Sequence, residues 1–134
     1  MSDELYQARI VALAKSKTGA GKLAAPTKSA RRDNPLCGDR VTIDVRVDDG
    51  RIAEIAHQVR GCLLCQASAA ALAGAAVGRD AAGIAELRHD AERAIGRETG
   101  KANDPFDAFE PVANHKSRHE CVLLPFEALT DAFS

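Results

Sequence analysis

The 134-residue chain has no tryptophan, one tyrosine and four phenylalanines, 4% aromatic in all. It therefore offers few flat surfaces on which nucleobases could stack. An excess of charge is missing too: 18 Lys and Arg against 19 Asp and Glu leave a formal net charge of -1. No basic cluster exceeds the pair Arg31-Arg32, so a field able to capture nucleic acid or acidic lipid is absent, and neither partner is expected. The opening stretch MSDELYQARIVALAKSK carries Asp3, Glu4, Arg9 and Lys15, which leaves no uncharged apolar run for a signal-peptide core or a membrane span. The expected location is cytoplasmic. No Ser/His/Asp array, phosphate loop or paired-carboxylate motif stands out, and the chain is expected not to be an enzyme.

What is present is enough for one core. At 46% apolar residues and roughly 100–200 residues per domain, residues 1–134 are expected to form a single domain. Folding at this size buries somewhat under about 70% of the extended chain's surface, so a metal is not needed for folding and a metal site would serve chemistry. The pattern predicts a helix over Glu4 to Lys15, then a long connection from Thr18 to Pro35, in part extended. Val41, Ile43, Val45 and Val47 alternate with polar residues, Asp48-Asp49-Gly50 tolerates a tight turn, and Ala53, Ile55, His57 and Val59 form a second alternating face; together they predict an antiparallel hairpin. His57 is read as a packed or rim histidine rather than a ligand. After Gly61-Cys62, the small apolar run up to Gly78 predicts a helix buried on most sides. Ile84, Leu87, Ala91 and Ile95 mark a third helix. Gly96 to Pro111 reads as a loop, and Ser117 to Phe133 as a last helix in which Pro125 should cause a kink or restart. The fold class is α+β, a small antiparallel sheet with packed helices.

Four cysteines in a chain with no export signal should be reduced thiols. Cys37, Cys62 and Cys121 fall where elements begin, and Cys62 and Cys65 form a C-x-x-C at a helix start. Thiols at helix N-termini meet the positive end of the helix dipole, which favours nucleophilic or metal-bound thiolate. Asp39, two residues after Cys37, can add a carboxylate oxygen, and three thiolates with one O or N ligand suit zinc or iron. Gly38 and Gly61 beside two of these cysteines would let the backbone turn sharply and come near an ion. The C-x-x-C alone would also suit a thiol oxidoreductase using Cys62 and Cys65, although the βαβ context of such sites is missing. Ser117 and Glu120 match a capping box, and His119 could ligate or relay protons.

The order Asn34-Pro35-Leu36-Cys37-Gly38-Asp39, a hairpin, Gly61-Cys62 with Ala67-Ser68, and a last cysteine opening the C-terminal helix resembles the U-type iron-sulfur cluster assembly scaffolds, the family of IscU, SufU and the NifU N-terminal domain. The likeness runs from Leu5-Tyr6 to Leu129. It implies the U-type (SufE/NifU-like) fold and a scaffold that accepts sulfur from a cysteine desulfurase. Such a scaffold binds iron or a labile, transient [2Fe-2S] cluster and passes it to recipient apo-proteins. By position, Cys37, Asp39, Cys62 and Cys121 would be the cluster or metal ligands. A close variant is a zinc-dependent SUF-type sulfur relay. Arg40 and Arg118 are SUF-like, whereas Glu120 stands where the family has His or Lys. The fourth ligand is left open among Asp39, His119, Glu120 and Cys65; whether the chain forms a homo-oligomer is likewise open.

Overall fold

The computed structural model describes residues 8–35 and 38–133; Cys37 and the expected helical residues 4–7 lie outside them. Helix α1 spans Ala8–Ser16 and buries Ile10 and Ala14, four residues apart and so on one face. Three strands follow, β1 at Lys28–Asn34, β2 at Asp39–Asp48 and β3 at Arg51–Arg60, forming an antiparallel sheet in the order β1-β2-β3. Then come α2 at Leu63–Ala76, α3 at Ala81–Ala94, a 3-10 segment at Phe106–Asn114, a single 3-10 turn at Lys116–Arg118, and α4 at His119–Phe133. No described helix is long and apolar enough to cross a membrane. The α+β class is as the sequence led us to expect.

β1 lies inside the stretch expected to be a connection. Its sequence, KSARRDN, has no apolar alternation because it is an edge strand whose side chains are mostly exposed. Main-chain pairing with β2 forms it, and that leaves no mark in hydropathy. The β2-β3 hairpin turns at Asp49 and Gly50, with φ of 55° and 76°, the paired positive values of the hairpin turn expected there. A bulge between Arg46 and Val47 shifts the register, so Val47 faces Ile52. Ile52 therefore enters the core at 1% exposure, and Ala53 does not.

α2 is buried along Leu64, Cys65, Ala67 to Ala73 and Ala76. Its small side chains let α1, α4 and β3 come close on several sides. Gly78, at φ 86°, ends this stretch and donates its N–H to Ile52 O at 2.8 Å. Asp80 caps α3 by accepting from Gly83 N–H at 2.9 Å. α4 lies against β1, β2, α2 and α3. It continues through Pro125, so of the kink or restart expected there, the restart does not occur. The proline does forgo a bond to Cys121 O, but residues 121 to 126 are all buried against the sheet and α2, and that packing carries the helix on past it. Phe106, from the expected loop, meets Phe126 edge to face at 5.5 Å between ring centres, so part of that stretch is core.

Candidate metal centre

Three element starts meet at one end of the sheet. Asp39 opens β2, Cys62 immediately precedes α2, and Cys121 lies in the first turn of α4. One ligand atom from each falls within 4.8 Å of the others. Asp39 is buried, at 3% exposure, and pairs in register with the equally buried Asn34 of β1. Its Oδ1 accepts from Cys62 N–H at 3.1 Å, and its Oδ2 lies 3.8 Å from Cys62 Sγ. Gly61 is required by this arrangement: a Cβ there would stand 2.8 Å from Asp39 Cγ and closer still to Oδ1. The glycine's job is thus to make room for the carboxylate, a more specific reason than the sharp turn read from sequence. Gly38, at φ 73°, donates its N–H to Asn34 O at 2.8 Å and so closes the β1-β2 connection that contains Cys37.

Ser68, inside α2, donates its hydroxyl to Val122 O at 2.5 Å. This buried bond locks α2 to α4 beside Cys121 and sets the approach of the two thiols. Their electrostatics diverge. The Cys62 thiol is lowered to about 6, first because Cys121 donates its S–H to the Cys62 sulfur and further because the backbone N–H of Cys65 and the Arg118 guanidinium favour the anion; burial and the Asp39 charge oppose this. Cys121 is raised, chiefly because it keeps the shared proton and then because it is buried. The shared proton therefore favours Cys121, with Cys62 half-exposed and Cys121 buried. Once Cys62 is ionised, its contact with Asp39 becomes repulsive, and a cation between sulfur and carboxylate would relieve it.

The other expectations sort cleanly. Cys65 has 0% exposure within the hydrophobic core and is absent from the described group. His119 directs Nε2 to the carbonyls of Val112 and Ala113, at 3.1 and 3.3 Å, away from the sulfurs. Ser117 sits in the 3-10 turn before α4 rather than capping it, and Glu120 instead shares a hydrogen bond with Glu127, so the expected capping box does not form. His57 is a packed histidine as read: it is 6% exposed and its Nε2 donates to Thr18 O at 2.7 Å, while burial lowers its pKa. The roles of Gly61 and Ser68 were missed, because nothing local to either residue shows what lies across the fold.

A second triad, His89, Glu92 and Glu98, also brings ligand atoms within 4.8 Å. It is more exposed than the first, and its charges are already used. His89 Nδ1 pairs with Glu98 Oε2 at 2.6 Å, and Arg93 reaches Glu98 Oε1 at 3.9 Å.

The three-stranded sheet packed with helices and the largely buried sulfur-oxygen triad define a class of small thiol-bearing α+β domains, and comparison with known proteins gives the family. The family model for the NifU-like N terminal domain matches residues 5–108. The chain belongs to this family, the U-type iron-sulfur scaffolds. It is 28% identical over 131 residues to the iron-sulfur cluster assembly scaffold protein IscU of Thermotoga maritima, covering 96% of this chain and 92% of that one. Among solved structures, the NifU-like N-terminal protein of Brucella abortus superposes with a TM-score of 0.88 at 32% identity, covering 97% of this chain and 92% of the other. A candidate scaffold protein for the SUF system from Fervidobacterium islandicum superposes with a TM-score of 0.90 at 28% identity, over 100% of both.

Proposed function

We propose that this chain is an iron-sulfur cluster assembly scaffold, acting as one domain over residues 1–134, and not an enzyme in its own right. The observation that carries the reading is the Asp39, Cys62 and Cys121 group, one carboxylate and two thiols within 4.8 Å, with Cys37 two residues before Asp39 in the sequence. Soft thiolates suit iron and zinc, and an oxygen ligand leaves a cluster easier to release than a closed cage of cysteines. Cys37, Asp39, Cys62 and Cys121 are the proposed ligands, and the cargo is iron or a transient [2Fe-2S] cluster. The sulfur source is a cysteine desulfurase, the recipients are apo-proteins, and the site of action is the cytoplasm.

Sulfur loading follows from the thiol pair. The Cys62 thiolate attacks the terminal sulfur of a persulfide on the donor's cysteine. The donor's S–S bond breaks, its cysteine leaves as thiolate, and Cys62 carries the persulfide with its proton. Iron then meets sulfur already seated beside Cys121 and Asp39. The same thiolate also favours a zinc-dependent sulfur relay in which zinc holds the site and a cysteine leaves it to take sulfur. An oxidoreductase using Cys62 and Cys65 fits less well, since Cys62 is grouped with Asp39 and Cys121 rather than with Cys65 and the strand before it belongs to an antiparallel sheet.

Anaerobic reconstitution with ferrous iron and sulfide tests the proposal. A visible cluster band in the native chain that is lost in Cys37→Ala and in Cys121→Ser supports the scaffold. Tightly held zinc with no band in any of them moves the assignment to the relay.

A further inference from the structure

The outer face of the sheet is electrically polarised along its strands. Asp33, Arg40 and Arg60 stand in one row across β1, β2 and β3, and Arg31, Thr42 and Gln58 stand in the next. Rows two residues apart share a face, so Arg31, Asp33, Arg40 and Arg60 form one cluster, three arginines to one aspartate. Asp33 serves two of them, Arg40 at 2.9 Å and Arg31 at 4.0 Å. Arg60 is exposed and sits directly opposite Arg40, a placement that costs stability between like charges. At the far end of the same face Asp44, Arg46 and Glu54 carry the opposite balance, with Arg46 held by Glu54 at 2.8 Å. A chain of net charge -1 thus concentrates uncompensated positive charge at one end of one face.

That end belongs to the candidate metal centre. Arg40 follows Asp39, and Arg60 precedes Gly61-Cys62. A shallow cavity of about 370 Å³ lined by Asn34, Asp39, Arg40 and Arg60 among others joins the arginines to the carboxylate of the site. Whatever docks on the arginines covers the cavity that reaches Asp39, whose carboxylate is hydrogen-bonded to Cys62 N–H. Neighbouring strands run about 4.8 Å apart, so the cluster spans roughly 10 Å, the reach of two or three carboxylates on a protein surface. A polynucleotide would need a longer basic track and stacking rings.

We propose that Arg31, Arg40 and Arg60 form the docking surface for the protein that donates sulfur to Cys62, and that this donor presents an acidic patch around its own sulfur-bearing cysteine. The proposal rests on the scaffold reading above. Charge complementarity at the rim steers encounter and lowers the half-saturating concentration, leaving the rate at saturation to the thiols.

The test titrates the full-length protein into a cysteine desulfurase turning over cysteine and follows persulfide on Cys62, for native, Arg60→Glu, Arg31→Glu and Arg46→Glu. A labelled oligo-glutamate peptide is titrated against the same proteins at low salt. Both site-end reversals should raise the half-saturating concentration about tenfold at low ionic strength, keep the saturating rate, flatten the salt dependence and lose the peptide. Arg46→Glu, at the other end, should stay within about twofold of native. Equal behaviour of Arg60→Glu and Arg46→Glu in both assays overturns the proposal, as does displacement of the peptide by a duplex oligonucleotide at lower concentration than by free oligo-glutamate. If native protein takes no sulfur yet binds peptide through Arg60, the scaffold reading fails and the acidic docking surface stands.

Discussion

Asp39, Cys62 and Cys121 are gathered from the starts of three separate elements, whereas His89, Glu92 and Glu98 come from α3 and the loop just after it. In both triads the ligand atoms lie within 4.8 Å of one another. In the first, two members are buried and the donors are soft: the Cys62 thiol lies 3.8 Å from the Asp39 carboxylate, whose charge opposes its ionisation. In the second, the histidine and one glutamate are ion-paired and Arg93 stands by. His89 is raised and Glu98 lowered, each chiefly by its hydrogen bond to the other. A metal entering the second triad must displace these partners and compete with water for exposed oxygens. A metal entering the first relieves a repulsion and meets soft donors already held by the fold. Proximity alone does not make a metal site; what separates the two triads is whether the protein has already satisfied the ligands.

The sharpest way to break this contrast is to delete ligands from each triad in turn. Cys62→Ser and Cys121→Ser should weaken zinc binding by more than about 100-fold, beyond the usual loss for an outer-shell contact. His89→Ala and Glu98→Gln should leave it unchanged, measured by competition with a chromophoric chelator. Gly61→Ala comes next. Its methyl group overlaps Asp39, so zinc affinity should fall by about 10- to 100-fold while the circular dichroism spectrum stays native. Cys65→Ser places a hydroxyl in the apolar core beside the site. Stability should drop by about 1–3 kcal/mol in urea melts, with the metal-thiolate charge-transfer spectrum unchanged.

A smaller effect separates the two thiols. Cys62, lowered to about 6, should alkylate with a rate that climbs as pH rises through about 6 and is level by neutral pH. Removing the S–H donor in Cys121→Ala should move that profile to higher pH, because the anion loses its chief stabiliser. His57 gives a stability counterpart. Its pKa is lowered in the folded protein, so the unfolded chain takes up a proton first as pH falls below about 6.5, the ordinary histidine value. Native stability should therefore decline below that pH, and His57→Gln should flatten the decline in melts run across it.

The site was legible wherever chemistry is written in residue type and order. Cysteines at element starts, the aspartate two residues after the first, and glycines beside them pointed to one region, and the structure brings Asp39, Cys62 and Cys121 together. The hairpin was legible because alternation from Val41 to Val47 reflects one buried face. β1 was not, because an edge strand made of Lys28 to Asn34 is held by its partner's main chain. The bulge at Arg46 and Val47 was not, since only pairing across the hairpin reveals that Ile52 replaces Ala53 inside. At Pro125 the restart that a local rule allows does not occur, because residues on both flanks are buried. Cys62 and Cys65 share a motif yet part ways, because α2 turns one sulfur to the site and the other into the core, which depends on where the sheet lies.

The measurement that tests the central claim most directly is X-ray absorption at the zinc edge of the zinc-loaded native protein. The account predicts a mixed shell in which sulfur at about 2.3 Å is joined by a carboxylate oxygen, and loss of sulfur amplitude in Cys62→Ser. A shell of nitrogen and oxygen alone, unchanged in Cys62→Ser and altered in His89→Ala, would contradict it and place the metal at the second triad.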